Sequence, residues 1–312
     1  MPFQDATRAA LAKPIDWRIG MPAAAEEADV ILLFGGDGTI HRHLGQLVKL
    51  GLPVLIVPAG SGNDFARALG LRRVRDSLAA WRRFCRQRDN VRQIDLGVII
   101  PLNAEDRAAD RELGTQRYFC CAAGVGLDGE ISRRANRLPR WLRRHGGYAL
   151  SLPSSLFGFA PFLMKIQTLS GAAKDGVAEG AAHRGEVGSG EAPKEQQSVW
   201  LPRSNEPTML AVFANTPVYG GGMKVAPRAQ MDDGLLDVCL VTDIDKFKLF
   251  CLFPTVYFGR HLSRPEVKYF QSARLRVETE HPLDVYADGE YVCRTPVEVT
   301  IQSAALRVPT LQ

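Results

Sequence analysis

The chain has 312 residues, of which 46% are hydrophobic, and a formal net charge of +5 at pH 7. That length suits two domains, and the apolar content is ordinary for a folded soluble protein. The modest positive charge comes without a motif that recognises RNA or DNA, so we expect no nucleic-acid partner. The six cysteines form no C-x-x-C pair, which argues against a zinc site and favours free thiols in the cytoplasm. No signal peptide and no apolar stretch of ~18–20 residues is present, so any membrane contact is expected to be peripheral.

The first predicted element is a buried strand at residues 30–34, followed directly by Gly35-Gly36-Asp37-Gly38-Thr39. Glycines let main-chain N–H groups approach a phosphate, and such turns bind phosphates at the carboxyl ends of parallel strands. Asp37 adds a carboxylate that suits Mg²⁺, and Thr39 adds a hydroxyl where the next helix begins. The alternative is a plain turn between a strand and a helix.

A second apolar run, residues 52–58, repeats this arrangement with the turn Gly60-Ser61-Gly62-Asn63 and then Asp64. Asp64 is either a second Mg²⁺ ligand or the N-cap of the following helix. Two such turns, each with an aspartate, predict one nucleotide and Mg²⁺ site.

A helix is predicted over 74–88 and carries many arginines. These arginines either form a solvated helix face or contact anionic lipid. From residue 91 onward, short strand patterns recur and indicate a β-rich layer. They are predicted at 91–100, 118–123, 209–214, 236–242, 273–279, 283–287 and 297–303, with the polar stretch 103–116 as a hairpin loop. Residues 171–198 are rich in Gly, Ala, Glu and Lys and predict a flexible insertion.

Four segments carry a family resemblance: Gly35–Thr39, the run 58–69, the stretch 215–238 that contains Gly220-Gly221-Gly222, and Ala287–Glu290. In this order they resemble the diacylglycerol kinase catalytic-domain family, which includes sphingosine kinases and soluble bacterial lipid kinases. The resemblance implies an N-terminal α/β nucleotide-binding domain and a C-terminal β-sandwich, as in NAD kinases, with the active site between them. We expect the first domain at residues 1–91, completed by 305–312, and the second at 92–304.

The resemblance also implies an ATP- and Mg²⁺-dependent lipid kinase. The cofactor-binding residues would be Gly35, Gly36, Asp37, Gly38, Thr39, Ser61, Gly62, Asn63 and Asp64. Asp288 matches the family's general base, although Asp-Gly by itself predicts only a hairpin turn. Asp37 would bind the catalytic Mg²⁺. A structural Mg²⁺ would take the side chain of Asp233 and the carbonyls of Gln230 and Leu235, or this segment is merely an acidic turn.

The sequence departs from the family in two places. Relatives begin with a strand and an Asn-Pro-x-Ser-Gly loop, which do not occur before Gly35. Relatives also usually carry Asn-Glu where this chain has His41-Arg42.

The acceptor is expected to be diacylglycerol or a sphingoid-type lipid presented at a membrane surface. A homodimer is one alternative for the oligomeric state, which the sequence does not decide. The apolar run 148–166 is either core or a surface for acyl chains, with arginines at 133–144 just before it. An NAD kinase-like enzyme is one alternative function. A catalytically inactive nucleotide- or lipid-binding homologue is the other.

Overall fold

The computed structural model describes residues 2–10, 16–113, 116–137, 147–170, 173–174 and 199–311. The predicted insertion at 171–198 therefore lies outside the described residues, apart from 173–174. The α-helices are α1 Pro2–Ala10, α2 Asp37–Leu50, α3 Asp64–Ala68, α4 Val74–Gln87, α5 Ala104–Leu113, α6 Leu127–Arg137, α7 Gly147–Gly158 and α8 Lys246–Leu252, with 3-10 helices at Ala25–Glu27, Phe253–Phe258 and Arg260–Ser263. The strands are β1 Ile31–Gly35, β2 Val54–Pro58, β3 Val91–Pro101, β4 Arg117–Phe119, β5 Ala122–Gly126, β6 Phe162–Leu169, β7 Ala173–Lys174, β8 Trp200–Ala214, β9 Leu236–Thr242, β10 Val267–Ser272, β11 Arg274–Thr279, β12 Asp284–Ala287, β13 Glu290–Arg294 and β14 Val297–Pro309.

The N-terminal part is built on β1 and β2, which pair in parallel from Ile31 opposite Val54 to Gly35 opposite Pro58. Helix α2 covers this pair because Ile40, Leu44 and Leu47 recur at helical spacing and are buried. Parallel pairing brings the carboxyl ends of both strands to one edge, so the two glycine-rich turns emerge side by side.

The C-terminal part is a β-sandwich of antiparallel strands, as the sequence predicted. The long strand β8 changes partners near Thr208: its first part pairs with β6, and its second part lies between β5 and β9. Strand β14 pairs with β3 along both of its halves, and Arg307 also bridges to Pro53 beside β2. The end of the chain thus links the sandwich to the N-terminal sheet.

Both faces of β8 and β9 are buried. Leu236, Val238 and Leu240 point into the sandwich core, whereas Cys239 and Val241 belong to the other core cluster. Because successive side chains of a strand point to opposite faces, the outer face of this sheet needs a cover. Helices α6, α7 and α8 provide it, with Ile131, Leu152 and Leu252 among their buried residues.

Two local predictions were wrong. Residues 103–116 were expected to be a hairpin loop, but 104–113 form α5, and the Asn103 side chain accepts the N–H of Asp106 (2.8 Å) at its start. The run 118–123 was expected to be one strand, but the strand is interrupted at Cys120 and Cys121, which lie between β4 and β5. The N–H groups of these two cysteines turn to Asp288 instead of continuing a ladder.

The apolar run 148–166 contributes mainly to the core, where Leu152, Leu156, Phe162, Met164 and Ile166 are buried. Among its described side chains, the large apolar ones that are exposed are Phe157 and Leu163. Arg140, Arg143 and Arg144 of the preceding basic stretch lie outside the described residues. None of the described helices is long and apolar enough to cross a bilayer.

Candidate active site

The two glycine-rich turns touch each other through their backbones. A Cβ on Gly60 would lie 2.5 Å from the Cα of Gly36, and one on Gly36 would lie 2.8 Å from the Cα of Gly60. The N–H of Ala59 also donates to the carbonyl of Gly35 (3.0 Å). Side chains at either glycine would force the turns apart, so these residues set the spacing of the site.

Asp37 joins the first turn to the second. It is the first residue of α2, and its carboxylate accepts the N–H groups of Asp64 and Phe65 (both 3.1 Å) at the start of α3. Burial, followed by the negative charge of Asp64, raises the pKa of Asp37 to about 6. This carboxylate therefore changes charge close to neutral pH.

Asp64 connects the second turn to the sandwich. One of its carboxylate oxygens accepts Arg67 Nη1 (2.5 Å), and the other accepts the N–H of Gly221 (2.6 Å). Burial raises the pKa of Asp64, although the N–H of Gly221 and the charge of Arg67 act against it. Gly222 has a φ of +98°, and a Cβ there would lie 2.9 Å from Arg67 Nη1, so the residue has to be glycine.

Asp288 occupies the two-residue turn between β12 and β13. Asp288 and Gly289 both have positive φ values (50° and 85°), as in the turns typical of Asp-Gly hairpins. The side chain is fully buried and accepts the N–H groups of Cys120 (2.9 Å), Cys121 (2.8 Å) and Ala122 (3.3 Å).

His41 also contacts Asp288, with its Nδ1 atom 3.2 Å from the carboxylate. Burial by itself would raise the pKa of Asp288, but the hydrogen bond and charge of His41, together with the backbone N–H groups, lower it below its usual value. Burial likewise opposes the charged form of His41, and the contact with Asp288 nevertheless raises the pKa of the imidazole. The pair therefore favours an ionised carboxylate.

These elements enclose one polar pocket of about 180 Å³. Five of the residues predicted for the site line this pocket: Asp37, Ser61, Gly62, Asp64 and Asp288. The other residues that line it are Cys121, Ser132, Ala135, Tyr219, Gly220, Gly221 and Gly289. The remaining predicted residues shape the turns. The Asn63 side chain, for example, bonds to both the N–H and the carbonyl of Gly60 (2.8 Å each), and Thr39 is exposed.

Known proteins resemble the chain along most of its length. The family model for the diacylglycerol kinase catalytic domain matches residues 13–99, and the model for the YegS C-terminal NAD kinase beta sandwich-like domain matches residues 121–310. A diacylglycerol kinase of Mycobacterium tuberculosis is 30% identical over 292 residues, which cover 92% of this chain and 78% of that protein. A diacylglycerol kinase of Bacillus subtilis is 25% identical over 278 residues, 88% of this chain and 76% of that protein.

The chain belongs to the diacylglycerol kinase catalytic-domain family. It is therefore a kinase that acts on an alcohol acceptor, within a family of lipid kinases. The fold agrees with a crystal structure from Bacillus anthracis that is provisionally described as a diacylglycerol kinase. The two share a TM-score of 0.60 and 20% identity, over 98% of this chain and 83% of that one.

An apolar cavity of about 70 Å³ lies in this kinase between the outer face of the β8–β9 sheet and the covering helices. Leu127, Asp128 and Ile131 of α6 line it, whereas Ser132 of the same helix lines the polar pocket. The Tyr219 hydroxyl lies 3.4 Å from the carboxylate of Asp128 and 3.5 Å from the hydroxyl of Ser132. Helix α6 and Tyr219 thus lie between a polar and an apolar space.

The residues predicted to bind a structural Mg²⁺ are not among the described residues that line either cavity. The Asp233 carboxylate accepts the N–H of Leu235 (3.0 Å), and the neighbouring Gly234 N–H goes to Asp95 (2.8 Å). Gln230 is exposed. A Mg²⁺ ion at Gln230, Asp233 and Leu235 stays a prediction.

Sequence reasoning did not identify the groups that contact the carboxylates Asp64 and Asp288. His41 was noted only as a departure from the family, although it lies one helical turn after Asp37 and so shares its face of α2. Arg67 stands three residues after Asp64, within ion-pair reach on a helix. The N–H groups of Cys120 and Cys121 had no local signal, because their partner Asp288 is 168 and 167 residues away in the chain.

Proposed function

We propose that the protein is an ATP- and Mg²⁺-dependent lipid kinase that phosphorylates a hydroxyl of diacylglycerol or of a sphingoid-type lipid. One observation carries this proposal: a pocket with three carboxylates, of which those of Asp64 and Asp288 are buried and that of Asp37 is half-buried, lies with two glycine-rich turns next to an apolar cavity, across α6. A phosphate donor and a divalent cation suit the first space. An apolar chain suits the second.

The donor set of the polar pocket fits Mg²⁺. Asp37 and Asp64 supply hard oxygen ligands, and the pKa of Asp37 is raised to about 6 first by burial and then by repulsion from the charge of Asp64. A cation at Asp37 relieves this repulsion. The glycines of the two turns carry no Cβ, so phosphate oxygens can approach the backbone closely at these positions.

In the proposed mechanism, each residue either positions a reactant or exchanges a proton. The turn Gly60–Asn63 would hold the phosphates, and its Ser61 lines the pocket. Asp288 stays ionised because its pKa is lowered, so it accepts the proton of the acceptor hydroxyl, and His41 fixes the orientation of its carboxylate. When bound, Mg²⁺ and ATP supply the γ-phosphoryl group and the positive charge that offsets it.

The apolar cavity favours a lipid over the NAD alternative. Its lining is apolar apart from Asp128 and His261, and it offers few partners for the hydroxyls and phosphates of a dinucleotide. An inactive homologue would still bind nucleotide, so binding alone does not test the proposal.

The decisive experiment offers radiolabelled ATP and Mg²⁺ with diacylglycerol, sphingosine or NAD in separate reactions. We expect label on one of the two lipids. Label on NAD alone would favour an NAD kinase-like enzyme. Binding of ATP in a parallel titration, with no labelled product in any reaction, would favour an inactive binding protein.

A further inference from the structure

Five aromatic side chains are exposed where α7 ends and where α8 continues into the 3-10 helix Phe253–Phe258. We call this set the aromatic patch: Phe157, Phe247, Phe250, Tyr257 and Phe258. Phe247 and Phe258 are 67% and 71% exposed. The rings of Phe157 and Phe250 lie 6.3 Å apart, and Lys246 Nζ donates to the carbonyl of Phe157 (3.0 Å), so the two segments form one surface.

The opposite side of the same segment is also apolar. Leu249, Leu252, Phe253 and Val256 face inward and line the apolar cavity. A helix at a water surface normally carries polar residues on its outer side, as α4 does with its arginines. An exposed cluster of rings on a helix whose inner face is already packed indicates a surface that meets a partner.

The charges around the aromatic patch indicate what the partner is. From Lys246 to Arg264 the chain has no Asp or Glu, and its basic residues flank the aromatic run on both sides: Lys246, Lys248, Arg260 and Arg264. Arg260 and Arg264 are exposed, whereas the ammonium of Lys248 contacts Glu266. Aromatic rings bordered by cations are typical of protein surfaces that enter the headgroup region of an anionic bilayer.

We propose that the aromatic patch is a membrane-docking surface for bilayers that contain anionic phospholipid. The inference rests on the proposed function, since a kinase for a lipid has to reach its acceptor in a bilayer. It places the contact on α8 and the following 3-10 helix. Of the run 148–166, which the sequence suggested, the contact includes Phe157 at the end of α7, and the arginines of α4 do not belong to it. The apolar cavity beneath the patch lies between the docked bilayer and α6.

Vesicle co-sedimentation without ATP tests the proposal. We expect the full chain to bind vesicles of phosphatidylcholine with about 30% phosphatidylglycerol, to bind phosphatidylcholine alone more weakly, and to lose affinity as salt is added. The double variant Phe247→Ser/Phe258→Ser should bind at least about tenfold more weakly. The matched control Leu163→Ser/Leu201→Ser, which removes two exposed leucines from the sandwich, should bind like the wild type.

A second pair of variants separates the two basic surfaces. Arg260→Gln/Arg264→Gln should reduce binding to the anionic vesicles, whereas Arg72→Gln/Arg75→Gln at the start of α4 should not. The reverse result would overturn the proposal in favour of α4. Wild-type protein that ignores both kinds of vesicle would overturn it as well.

Cys251 allows a direct measurement of insertion, because it lies in α8 and is exposed while the other cysteines are buried. A polarity-sensitive fluorophore on Cys251 should shift to the blue on anionic vesicles, and the Phe247→Ser/Phe258→Ser background should abolish the shift. If the serine pair instead abolishes self-association in sedimentation velocity and leaves vesicle binding unchanged, the patch joins two copies of the chain and the proposal fails. Vesicle binding that persists while no lipid is phosphorylated would leave docking intact and refute only the proposed function.

Discussion

The two walls of the polar pocket hold the same chemical group in opposite electrostatic settings. On the N-terminal wall, burial and the nearby Asp64 raise the pKa of Asp37 to about 6. On the sandwich wall, burial acts on Asp288 in the same direction, yet His41 and the N–H groups of Cys120 and Cys121 lower its pKa. Burial raises the pKa of both carboxylates, so their surroundings decide the direction of the net shift: a like charge beside Asp37, and an imidazole with backbone donors around Asp288.

This contrast assigns different tasks to the two walls. Asp37 has two backbone donors and a neighbouring negative charge, so a cation improves its surroundings. Asp288 has three backbone donors and an imidazole, so its charge is already balanced by the chain. The N-terminal wall therefore offers a carboxylate that gains from a nearby cation, and the sandwich wall offers one that the chain already keeps ionised.

The replacement Asp288→Asn should have the largest effect. Loss of the base should lower kcat by about 10²–10⁴. The fold should lose about 1–3 kcal/mol as well, because an amide NH₂ group would face the backbone donors that the carboxylate now accepts. Asparagine tolerates the positive φ of this turn, so the hairpin itself should persist. Turnover per folded molecule, corrected by urea unfolding, measures the catalytic part.

Asp284→Asn is the matched control for this replacement, since Asp284 lies on the same hairpin and pairs with Arg294 outside the pocket. It should retain wild-type turnover. Undiminished turnover in Asp288→Asn would remove this carboxylate from the mechanism.

The raised pKa of Asp37 predicts that Mg²⁺–ATP binding depends on pH. The folded chain holds this proton more tightly than the unfolded chain does, so ligand-free stability falls as the pH rises to about 6. A bound cation replaces the proton, and its affinity should drop about tenfold for each pH unit below the pKa. The increase in Tm caused by Mg²⁺–ATP should therefore be larger at about pH 7.5 than at about pH 5.

Asp37→Asn should remove the pH dependence of the Tm increase caused by Mg²⁺–ATP, because the titrating group is gone. Equal increases in Tm at both pH values in the wild type would show that Asp37 does not bind the cation.

The elements that the sequence predicted well have signals within a few residues of one another. The strand at 31–35 follows from an apolar run closed by glycines, and 236–242 follows from its apolar content and flanking turn residues. Helix α5 had a local signal that was overlooked, since its Ala, Glu and Arg residues favour a helix and Asn103 caps it. The contacts of His41 with Asp288 could not be predicted in this way, because 247 residues separate the two.

The contact between Gly36 and Gly60 holds the N-terminal wall together, so Gly60→Ala should disturb it. The new Cβ would lie 2.5 Å from a backbone atom, which has to move. We expect a loss of about 1–3 kcal/mol in the free energy of unfolding, together with weaker ATP binding. Gly45→Ala in α2 is the control: its Cβ would meet nothing closer than 3.9 Å, and it should stabilise the helix by about 0.5–1 kcal/mol. Equal stabilities of the two variants would contradict the close contact of the turns.

The sandwich wall can be weakened through the imidazole of His41, which α2 places against Asp288, with a smaller effect that depends on pH. The pKa of His41 is raised in the fold, so its contribution to stability is complete below the unfolded pKa and declines as the pH rises through the folded value. A hydrogen bond from a charged donor exceeds a neutral one by about 1 kcal/mol, so His41→Ala should cost about that much more in acid than in alkaline buffer. Urea unfolding at several pH values measures this difference. A cost of His41→Ala that does not vary with pH would mean that the imidazole faces Asp288 uncharged.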